Sequence, residues 1–450
     1  MEKLFLEKEL KDWILLREKE MEEDLRSLVE IPSIARDGSG EEPYGKACKE
    51  ALLEMERIGK RLGFQTENHD SRLLSILFGS GEKEVGIWGH LDVVPEGKDW
   101  IYPPFSCTRK QGFFIGRGAQ DNKGPSVAVL YAMRFLKEKG YQPPVRFRQV
   151  LGCREELGME DVEYYLEHYP APDFSFVSDC SFPVCCGEKG ILNLTIRSGK
   201  VPEILKELRG GTASNAVPAL AEAQVGEEHF QAEGIAGHAA FPVGAKSAFG
   251  VLCRELSCLK ELAEEPSLKL AEILGRDGYG IGAGIACEDE KSGRLTCNLG
   301  ILELKEGRLE GQVDIRYPVT VKAEEILGKL EDVLKEYGYE VTEKKDSAPY
   351  YLSPDEPAVQ SLIRTYREVT GDREAQPYIM GGGTYARKIP RAVGFGPGMP
   401  ADLSPLHLPE GHGNCHGADE AQSIENLQKA IEIYVHAMVN LGEILKRQEL

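Results

Sequence analysis

Short apolar segments alternate with amphipathic segments between about residues 73 and 182. The segments SILF, EVGIWGH, VRFRQVLG and FSFVSD are apolar and contain β-branched or aromatic residues, which is typical of buried strands. The segments GPSVAVLYAMRFLKEKG and GMEDVEYYLEHY have the periodicity and the charge placement of helices. Strands that alternate with helices in this way predict βαβ units and a parallel sheet.

The pattern changes in the middle of the chain and returns near its end. From about residue 190 to 348, longer strand-like runs such as LNLTIR and RLTCNLGILEL occur with helices between them. From residue 350 onward, RAVGFGPG is typical of a strand and SIENLQKAIEIYVHAMVNLGEIL of a closing helix. We therefore predict one α/β domain, formed by residues 1–188 and 349–450, which is interrupted by an inserted domain of residues 189–348.

The N-terminal segment MEKLFLEKELKDWILLREKEMEEDL carries many charges of both signs. Apolar residues recur in and just after it at helical spacing and predict an amphipathic surface helix: Leu6, Leu10, Trp13, Ile14, Leu25 and Leu28. The segment lacks the apolar core of a signal peptide, and the eleven cysteines of the chain show no C-x-x-C spacing. We therefore expect a cytoplasmic protein with reduced thiols.

Composition narrows the class of protein and its partners. At 450 residues the chain exceeds the size of a single hydrophobic core, and its 41% hydrophobic content is ordinary for a globular protein. The formal net charge of −20 disfavours nucleic acid and anionic membrane surfaces as partners. No apolar run approaches the roughly 20 residues that cross a membrane. An acidic chain can, however, accommodate a cluster of carboxylates around a cation.

Acidic and imidazole side chains follow the predicted strands at the positions where ligands of open α/β sheets bind. They form four groups: His90 with Asp92, Asp121, the pair Glu155 and Glu156, and Asp179. Taken singly, each group has an ordinary structural explanation as a turn, an N-cap or the first turn of a helix. Taken together, they would repel one another without a cation. Oxygen and imidazole donors suit zinc, manganese or cobalt in a hydrolytic site.

A series of motifs resembles, in order, the landmarks of the M20 metallopeptidases. They are GHLDVVP, PPFSC, RGAQDNKGP, LGCREELG, SDCSFPVCCGEKG, GHAAFPVGAKSA, VDIRYPV and GGGTYARKIPRAVGFGPG. The resemblance covers about residues 20 to 435 and is greatest to the branch of PepV-like bacterial dipeptidases, which are related to carnosinases and carboxypeptidase G. It implies an α/β fold with a zinc-peptidase-type three-layer α/β/α catalytic domain and an inserted α+β lid domain.

The resemblance also implies a site for two divalent metal ions, with Zn²⁺ expected and Mn²⁺ or Co²⁺ as alternatives. His90 and Asp179 would bind one ion and Glu156 the other, while Asp121 would bridge both and form a cis peptide bond with Asn122. The remaining ligand would be a histidine shortly before the last helix. His416 in HGADE fits the family pattern best, with His412 as the second candidate and His407 as the third.

The same resemblance assigns roles in catalysis and substrate binding. Glu155 would be the general base, and Asp92 would orient His90. His238 would polarise the scissile carbonyl, although it can also be an ordinary surface-loop histidine. The residues expected to hold the substrate are Asn215, Arg316, Gly382 and Gly383. An arginine fork is the natural partner of a free carboxylate, but Arg316 can equally be an ion-pair partner of Asp314.

Two features depart from the family pattern or stand near the predicted ligands. Cys153 and Arg154 precede the glutamate pair where the family has a small polar residue and Asp or Asn. Because side chains alternate along a strand, we expect Arg154 to point away from Glu155. Four cysteines lie close in sequence to predicted ligands: Cys180, Cys185, Cys186 and Cys415. They can be adventitious zinc ligands or oxidation-sensitive thiols, but we expect buried structural cysteines.

We predict a metal-dependent dipeptidase that hydrolyses the amide bond of dipeptides, with β-Ala-Xaa among the candidate substrates. Two metal ions would activate the attacking water. The alternatives are an N-acyl-amino-acid amidohydrolase of the same fold, such as a deacetylase or desuccinylase, and a non-catalytic metal-binding or scaffolding relative. The large insert would act as a lid and would supply His238 from the same chain. This predicts a monomer.

Overall fold

The computed structural model describes residues 7–447, which form two compact units. Within the described residues, the first unit runs to Cys186 and continues through Leu352–Tyr378 and from Thr384 onward. The second unit comprises Gly187–Tyr351 and Ile379–Gly383. The domain boundaries given above stay a prediction. Leu6 lies outside the described residues.

The helices in the described part of the chain fall in both units. They are α1 (Glu7–Val29), α2 (Lys46–Arg61), α3 (Lys123–Glu138), α4 (Glu160–His168), α5 (Ala248–Leu256), α6 (Pro266–Leu274), α7 (Ala323–Glu336), α8 (Pro357–Thr370) and α9 (Ile424–Arg447). Single turns of 3-10 helix occur at Glu155–Leu157, Tyr385–Arg387 and Ser404–Leu406. Helices α5, α6 and α7 belong to the second unit and the others to the first.

The strands range from two to eleven residues. They are β1 (Gln65–His69), β2 (Leu73–Phe78), β3 (Glu84–His90), β4 (Thr108–Lys110), β5 (Phe113–Ile115), β6 (Arg146–Gly152), β7 (Phe174–Val177), β8 (Cys180–Ser181), β9 (Cys185–Glu188), β10 (Gly190–Lys200), β11 (Leu205–Gly210), β12 (Ala216–Val217), β13 (Leu220–Val225), β14 (Glu228–Glu233), β15 (Gly237–His238), β16 (Glu288–Asp289), β17 (Gly293–Arg294), β18 (Thr296–Lys305), β19 (Arg308–Tyr317), β20 (Tyr339–Ser347), β21 (Tyr350–Tyr351), β22 (Tyr378–Met380), β23 (Ala392–Gly394), β24 (Pro397–Gly398) and β25 (Ala421–Ser423).

The main sheet of the first unit has the strand order β1-β2-β6-β3-β7-β23. Its centre is parallel, because β3 pairs in parallel with β6 and β7, and β23 pairs in parallel with β7. Strands β1 and β2 form an antiparallel edge, and β2 is antiparallel to β6. The prediction of a parallel sheet is therefore right for the centre and wrong for SILF, which lies in β2.

Both faces of this sheet are covered, so successive strand residues enter different cores. Ile87 of β3 packs in the large core with α1, α2, α3, α8 and α9, whereas its neighbour Trp88 packs in a smaller core with Tyr165 of α4 and Tyr385. Continuous apolar runs are typical of strands that are buried on both faces. The unit is thus a three-layer α/β/α domain, as predicted.

The second unit is an antiparallel α+β structure. Its seven-stranded sheet has the order β14-β13-β11-β18-β19-β10-β20. Alternate residues of β10 enter one core with helices α5, α6 and α7, among them Leu192, Leu194 and Ile196. The residues between them are only half-buried, which is the pattern of a sheet with one covered face.

The amphipathic N-terminal helix is confirmed over its described residues. Helix α1 buries Leu10, Trp13, Ile14, Leu25 and Leu28. The cysteines of the described residues are all free thiols, as expected. None of the helices between residues 7 and 447 combines the length and the apolar character that a membrane crossing requires.

Candidate active site

Three adjacent parallel strands deliver the predicted site residues to one edge of the main sheet. Strand β3 ends at His90, which lies opposite Gly152, the last residue of β6. Glu155 and Glu156 follow three and four residues later, in a turn of 3-10 helix. On the other side of β3, β7 ends at Val177, and Asp179 follows. The carboxyl ends of parallel strands meet at one edge, and the side chains converge there.

Asn122 ties the Asp121 loop to two of these strands. Its side-chain amide donates to the Ser178 carbonyl at 2.7 Å and to Asp179 Oδ1 at 2.9 Å, and its Oδ1 accepts from the backbone N–H of His90 at 3.2 Å. The peptide bond between Asp121 and Asn122 is cis, as the resemblance implied. The loop and the ends of β3 and β7 are therefore held in one arrangement.

The carboxylate of Asp121 contacts two histidines through different oxygens. Oδ1 lies 2.9 Å from His90 Nε2, and Oδ2 lies 3.0 Å from His416 Nε2. Beyond these contacts, Asp179 Oδ2 lies 3.6 Å from His90 Nε2, and Glu156 Oε1 lies 3.1 Å from His416 Nε2. Two sets of potential metal ligands, His90 with Asp179 and His416 with Glu156, thus share Asp121. The resemblance implied this arrangement for two ions.

The three candidate histidines of the C-terminal loop occupy different environments. His416 contacts Asp121 and Glu156, as described above. The His412 ring instead contacts Asp419 Oδ2 through Nδ1 at 2.7 Å. His407 is exposed at the end of the Ser404–Leu406 turn. The geometry therefore favours His416 as the ligand.

Divalent cations would neutralise the charge of this cluster. With neutral imidazoles, the carboxylates of Asp121, Glu155, Glu156 and Asp179 carry a charge of −4, which two divalent ions would balance. Donor atoms of Asp121 and Glu156 lie within 4.8 Å of each other, as do those of Glu155 and Asp179. At an effective dielectric constant of about 20, each such pair repels by roughly 3–4 kcal/mol. A typical hydrogen bond contributes only about 1 kcal/mol. The donor set therefore fits divalent metal ions.

The pKa values of the site follow from this crowding. Burial alone would lower the pKa of His90, but the charge of Asp179 and the hydrogen bond to Asp121 raise it well above its ordinary value. Hydrogen bonds to Asp121, Cys415 and Glu156 likewise raise the pKa of His416. Both rings therefore favour the protonated form beside these carboxylates. Metal ions would have to displace these protons.

Glu155 has a buried carboxylate oxygen, Oε1, that makes no hydrogen bond to any described residue. Burial raises the pKa of Glu155 well above its ordinary value, and the charge of Asp179 adds to this rise while that of His90 opposes it. An unsatisfied carboxylate oxygen inside a site is suited to accept a proton from a bound molecule. Arg154 points away, as predicted, to Asp37 at 2.6 Å and Glu160 at 3.2 Å.

Asp92 contacts both halves of the cluster. Its backbone carbonyl lies 3.0 Å from His90 Nδ1, and its carboxylate lies 3.4 Å from the same nitrogen. The carboxylate also accepts the backbone N–H groups of Glu155 at 3.3 Å and Glu156 at 3.1 Å. The side chain is fully buried. Asp92 therefore contacts both the His90 ring and the glutamate turn. The prediction from the sequence concerned His90 alone.

Two residues that contact this site, Glu420 and Arg117, were not predicted from the sequence. Buried Glu420 accepts the backbone N–H groups of Gly118, Gln120 and Asp121 through Oε1, and Arg117 donates to its Oε2 at 2.6 Å. Arg117 also donates to the carbonyl of His416 at 3.1 Å. In the sequence, the acidic pair at the end of HGADE, after His416, was the only signal for this link.

The cysteines differ from one another. Cys185 and Cys186 are buried, as expected, and Cys180 is half-buried. Cys415 is exposed, and its Sγ donates to Asp121 Oδ2 at 2.8 Å. The prediction of a buried structural role is wrong for Cys415, because the irregular loop that carries His416 places the preceding thiol beside the same carboxylate.

The predicted substrate-binding residues of the second unit lie near one another. His238 of β15 is paired with Ala216 of β12, and the carbonyl of the adjacent Asn215 accepts from Ala239 at 2.9 Å. The glycine segment comes close to this pair, because a Cβ on Gly381 would lie 2.8 Å from that of Ala240. His238 and Asn215 are both exposed.

Arg316 joins the same group through the glycine segment. Its Nη1 donates to the Gly381 carbonyl at 3.0 Å, and its Nε and Nη2 bind the two oxygens of Asp314 at 2.6 and 2.7 Å. The ion pair with Asp314 is therefore present. These contacts use three of the five N–H donors of the guanidinium. Gly382 and Gly383 follow Gly381 in the same short segment.

Comparisons with known proteins agree with this fold. A Lactobacillus delbrueckii subsp. lactis protein named Beta-Ala-Xaa dipeptidase is 29% identical over 95% of this chain and 96% of its own length. The structure is similar to human carnosine dipeptidase 1, with a TM-score of 0.58 and 17% identity over 97% of this chain and 100% of that one. It is also similar to the di-peptidase Dug1p from Saccharomyces cerevisiae, with a TM-score of 0.60 and 14% identity over 96% of this chain and 98% of that one.

The family assignment rests on the sequence profile described as Peptidase family M20/M25/M40, which matches residues 86–440. The match includes the predicted residues of both units, from His90 at the end of β3 to His416 before β25. The chain belongs to Peptidase family M20/M25/M40.

Proposed function

We propose that this peptidase is a metal-dependent dipeptidase whose general base is Glu155. The observation that carries the proposal is the pair of donor groups that share Asp121, beside the unpartnered carboxylate oxygen of Glu155. The similarity to the Beta-Ala-Xaa dipeptidase over nearly the full length of both chains supports dipeptides, β-Ala-Xaa among them, as the substrate class.

Divalent metal ions fit the donor set of the site. We assign His90 and Asp179 to one ion, His416 and Glu156 to the other, and Asp121 to both. Bound there, the ions would act as Lewis acids that make water more acidic and polarise the scissile carbonyl. Because the donors are imidazoles and carboxylates, we propose Zn²⁺, with Mn²⁺ and Co²⁺ as alternatives.

Glu155 would move the proton during hydrolysis. Its carboxylate would take a proton from the attacking water and give it to the leaving amine when the C–N bond breaks, so that its own charge is restored. The carboxylate oxygen of Glu155 that makes no hydrogen bond to any described residue suits this role, because it can accept a proton from a bound molecule. Asp92 would position both Glu155 and His90.

The group in the second unit would bind the substrate. We propose that His238 donates a hydrogen bond to the scissile carbonyl as negative charge develops on its oxygen. Asn215 would assist there, and Arg316 would bind the free carboxylate through N–H donors that Asp314 and Gly381 leave unused. Gly382 and Gly383 would contact the substrate through their backbone. We further propose a cytoplasmic location.

A hydrolysis panel tests this function. Purified protein, stripped of metal and refilled separately with Zn²⁺, Mn²⁺ or Co²⁺, would be given L-dipeptides including β-Ala-His, tripeptides, and N-acetyl and N-succinyl amino acids. Cleavage of dipeptides alone is the expected result. Cleavage of acylated amino acids alone would make the protein an amidohydrolase with the same metal site. Metal binding without hydrolysis of any compound would support a non-catalytic relative.

A further inference from the structure

The thiol of Cys415 lies among donors that belong to the proposed metal site. Its Sγ donates to Asp121 Oδ2 at 2.8 Å, and the same oxygen lies 3.0 Å from His416 Nε2. The three donor atoms of Asp121, Cys415 and His416 all lie within 4.8 Å of one another. A nitrogen, an oxygen and a sulfur are therefore directed at one small volume.

These separations are close to those required around a single ion. With Zn–S of about 2.3 Å and Zn–N of about 2.0–2.1 Å, tetrahedral ligands stand roughly 3.5 Å apart. In the structure, Asp121 Oδ2 lies 2.8 Å from the Cys415 sulfur and 3.0 Å from His416 Nε2, which is slightly closer. Outward shifts of about 0.5–0.7 Å would give the separations of a coordination site. Such a shift is small for Cys415 and His416, which are exposed and lie in a loop.

Other cysteines near the site do not have this geometry. Cys180 follows Asp179 in sequence, but its Sγ is directed at the carbonyl of Ser181 at 3.3 Å. Cys153 precedes the glutamate pair, but it is fully buried and its Sγ is directed at the carbonyl of Cys48. Cys415 is thus distinguished from them by its contact with a proposed bridging ligand.

We propose that Cys415 is a sulfur ligand of the ion that His416 holds, and that it biases this position toward zinc over manganese. The proposal rests on the two-ion site proposed above. On binding, the Sγ–H proton would leave to solvent and the thiolate would coordinate the ion. Thiolate sulfur is a soft donor that favours zinc, whereas the carboxylates around it suit manganese as well.

The absorption spectrum of bound Co²⁺ shows directly whether sulfur is a ligand. The full-length protein would be loaded with Co²⁺ and its absorption spectrum recorded together with the cobalt content. We expect an intense sulfur-to-cobalt charge-transfer band in the near ultraviolet. The band should be absent in Cys415→Ser and retained in Cys258→Ser, a control that removes another exposed thiol.

The outcomes separate this inference from the proposed function. Two cobalt ions per chain without the band, or a band that survives in Cys415→Ser, would overturn the sulfur ligand and leave the two-ion site intact. A protein that binds no cobalt would overturn both.

A second measurement needs no variant. Alkylation of Cys415 by iodoacetamide, followed by peptide mass spectrometry, should slow at least about tenfold when zinc is bound, because the coordinated sulfur is no longer free to react. Manganese should slow it much less. Equal alkylation rates with and without zinc, at confirmed zinc occupancy, would contradict the proposal.

Discussion

The carboxylate of Asp121 contacts the ring nitrogens of both His90 and His416, one through each oxygen. An asparagine at this position keeps the size of the side chain but loses the charge and one acceptor oxygen. We predict that Asp121→Asn lowers the occupancy of both ions, whereas His416→Ala leaves about one ion per chain. Elemental analysis after dialysis would measure this.

His412→Ala is the matched control for these variants. Its ring contacts Asp419 and not the proposed ligands, so two ions should remain. Retention of both ions in Asp121→Asn would show that Asp121 does not bridge them.

Glu155 is the residue on which turnover should depend most. We predict that Glu155→Gln lowers kcat for a dipeptide by about 10²–10⁴-fold, because the amide cannot accept the proton, while metal content stays unchanged. Steady-state kinetics and elemental analysis on the same sample would separate the two effects. Glu163→Gln, a change on the exposed face of α4, should retain full activity. Unchanged turnover in Glu155→Gln would remove Glu155 as the base.

At the scale of structural elements, hydrogen bonds join two loops, one before α3 and one before β25. Glu420 accepts three backbone N–H groups of the Asp121 loop, and Arg117 links it to the carbonyl of His416. Both side chains are almost fully buried. Removing one partner of such a pair costs about 3–5 kcal/mol, because the other charge stays buried without compensation.

We therefore predict that Glu420→Gln loosens the Asp121 loop and lowers metal affinity by about 10–100-fold. Hydrogen–deuterium exchange should increase at the amides of Gly118, Gln120 and Asp121, and competition with a chelator would give the affinity. Glu425→Gln, on the exposed start of α9, is the control. Unaltered exchange in the Asp121 loop would mean that Glu420 does not hold it.

Periodicity explains which elements could be predicted. EVGIWGH forms β3 over the predicted residues, because a strand buried on both faces is continuously apolar. The order of strands could not be predicted, since β6 inserts between β2 and β3 through packing of residues distant in sequence. The proposed ligands at strand ends could be identified from their motifs and their positions. The contacts of Cys415 and Glu420 could not be predicted, because the loop between β24 and β25 has no regular periodicity.

At the scale of the whole molecule, the predicted lid carries its own His238, Asn215 and Arg316. We predict that the protein is a monomer, in which these groups are supplied by its own chain. Light scattering at several concentrations would give the mass, to be compared with 49.8 kDa for one chain. A stable mass of twice this value, at the lowest concentration that supports activity, would contradict the prediction.

The chain order of the site has a consequence during synthesis. Four of the five proposed ligands, His90, Asp121, Glu156 and Asp179, precede the second unit, whereas His416 follows it, so the ribosome completes the ligand set of the ion assigned to His416 only after the insert. Strand β23, which completes the parallel centre of the sheet, is likewise translated after the insert. A nascent chain that ends within the insert therefore lacks one ligand of that ion. Hydrolysis that depends on both ions can begin only after the segment that carries His416 has been made, which delays the onset of peptidase activity until the residues beyond the insert have joined the first unit.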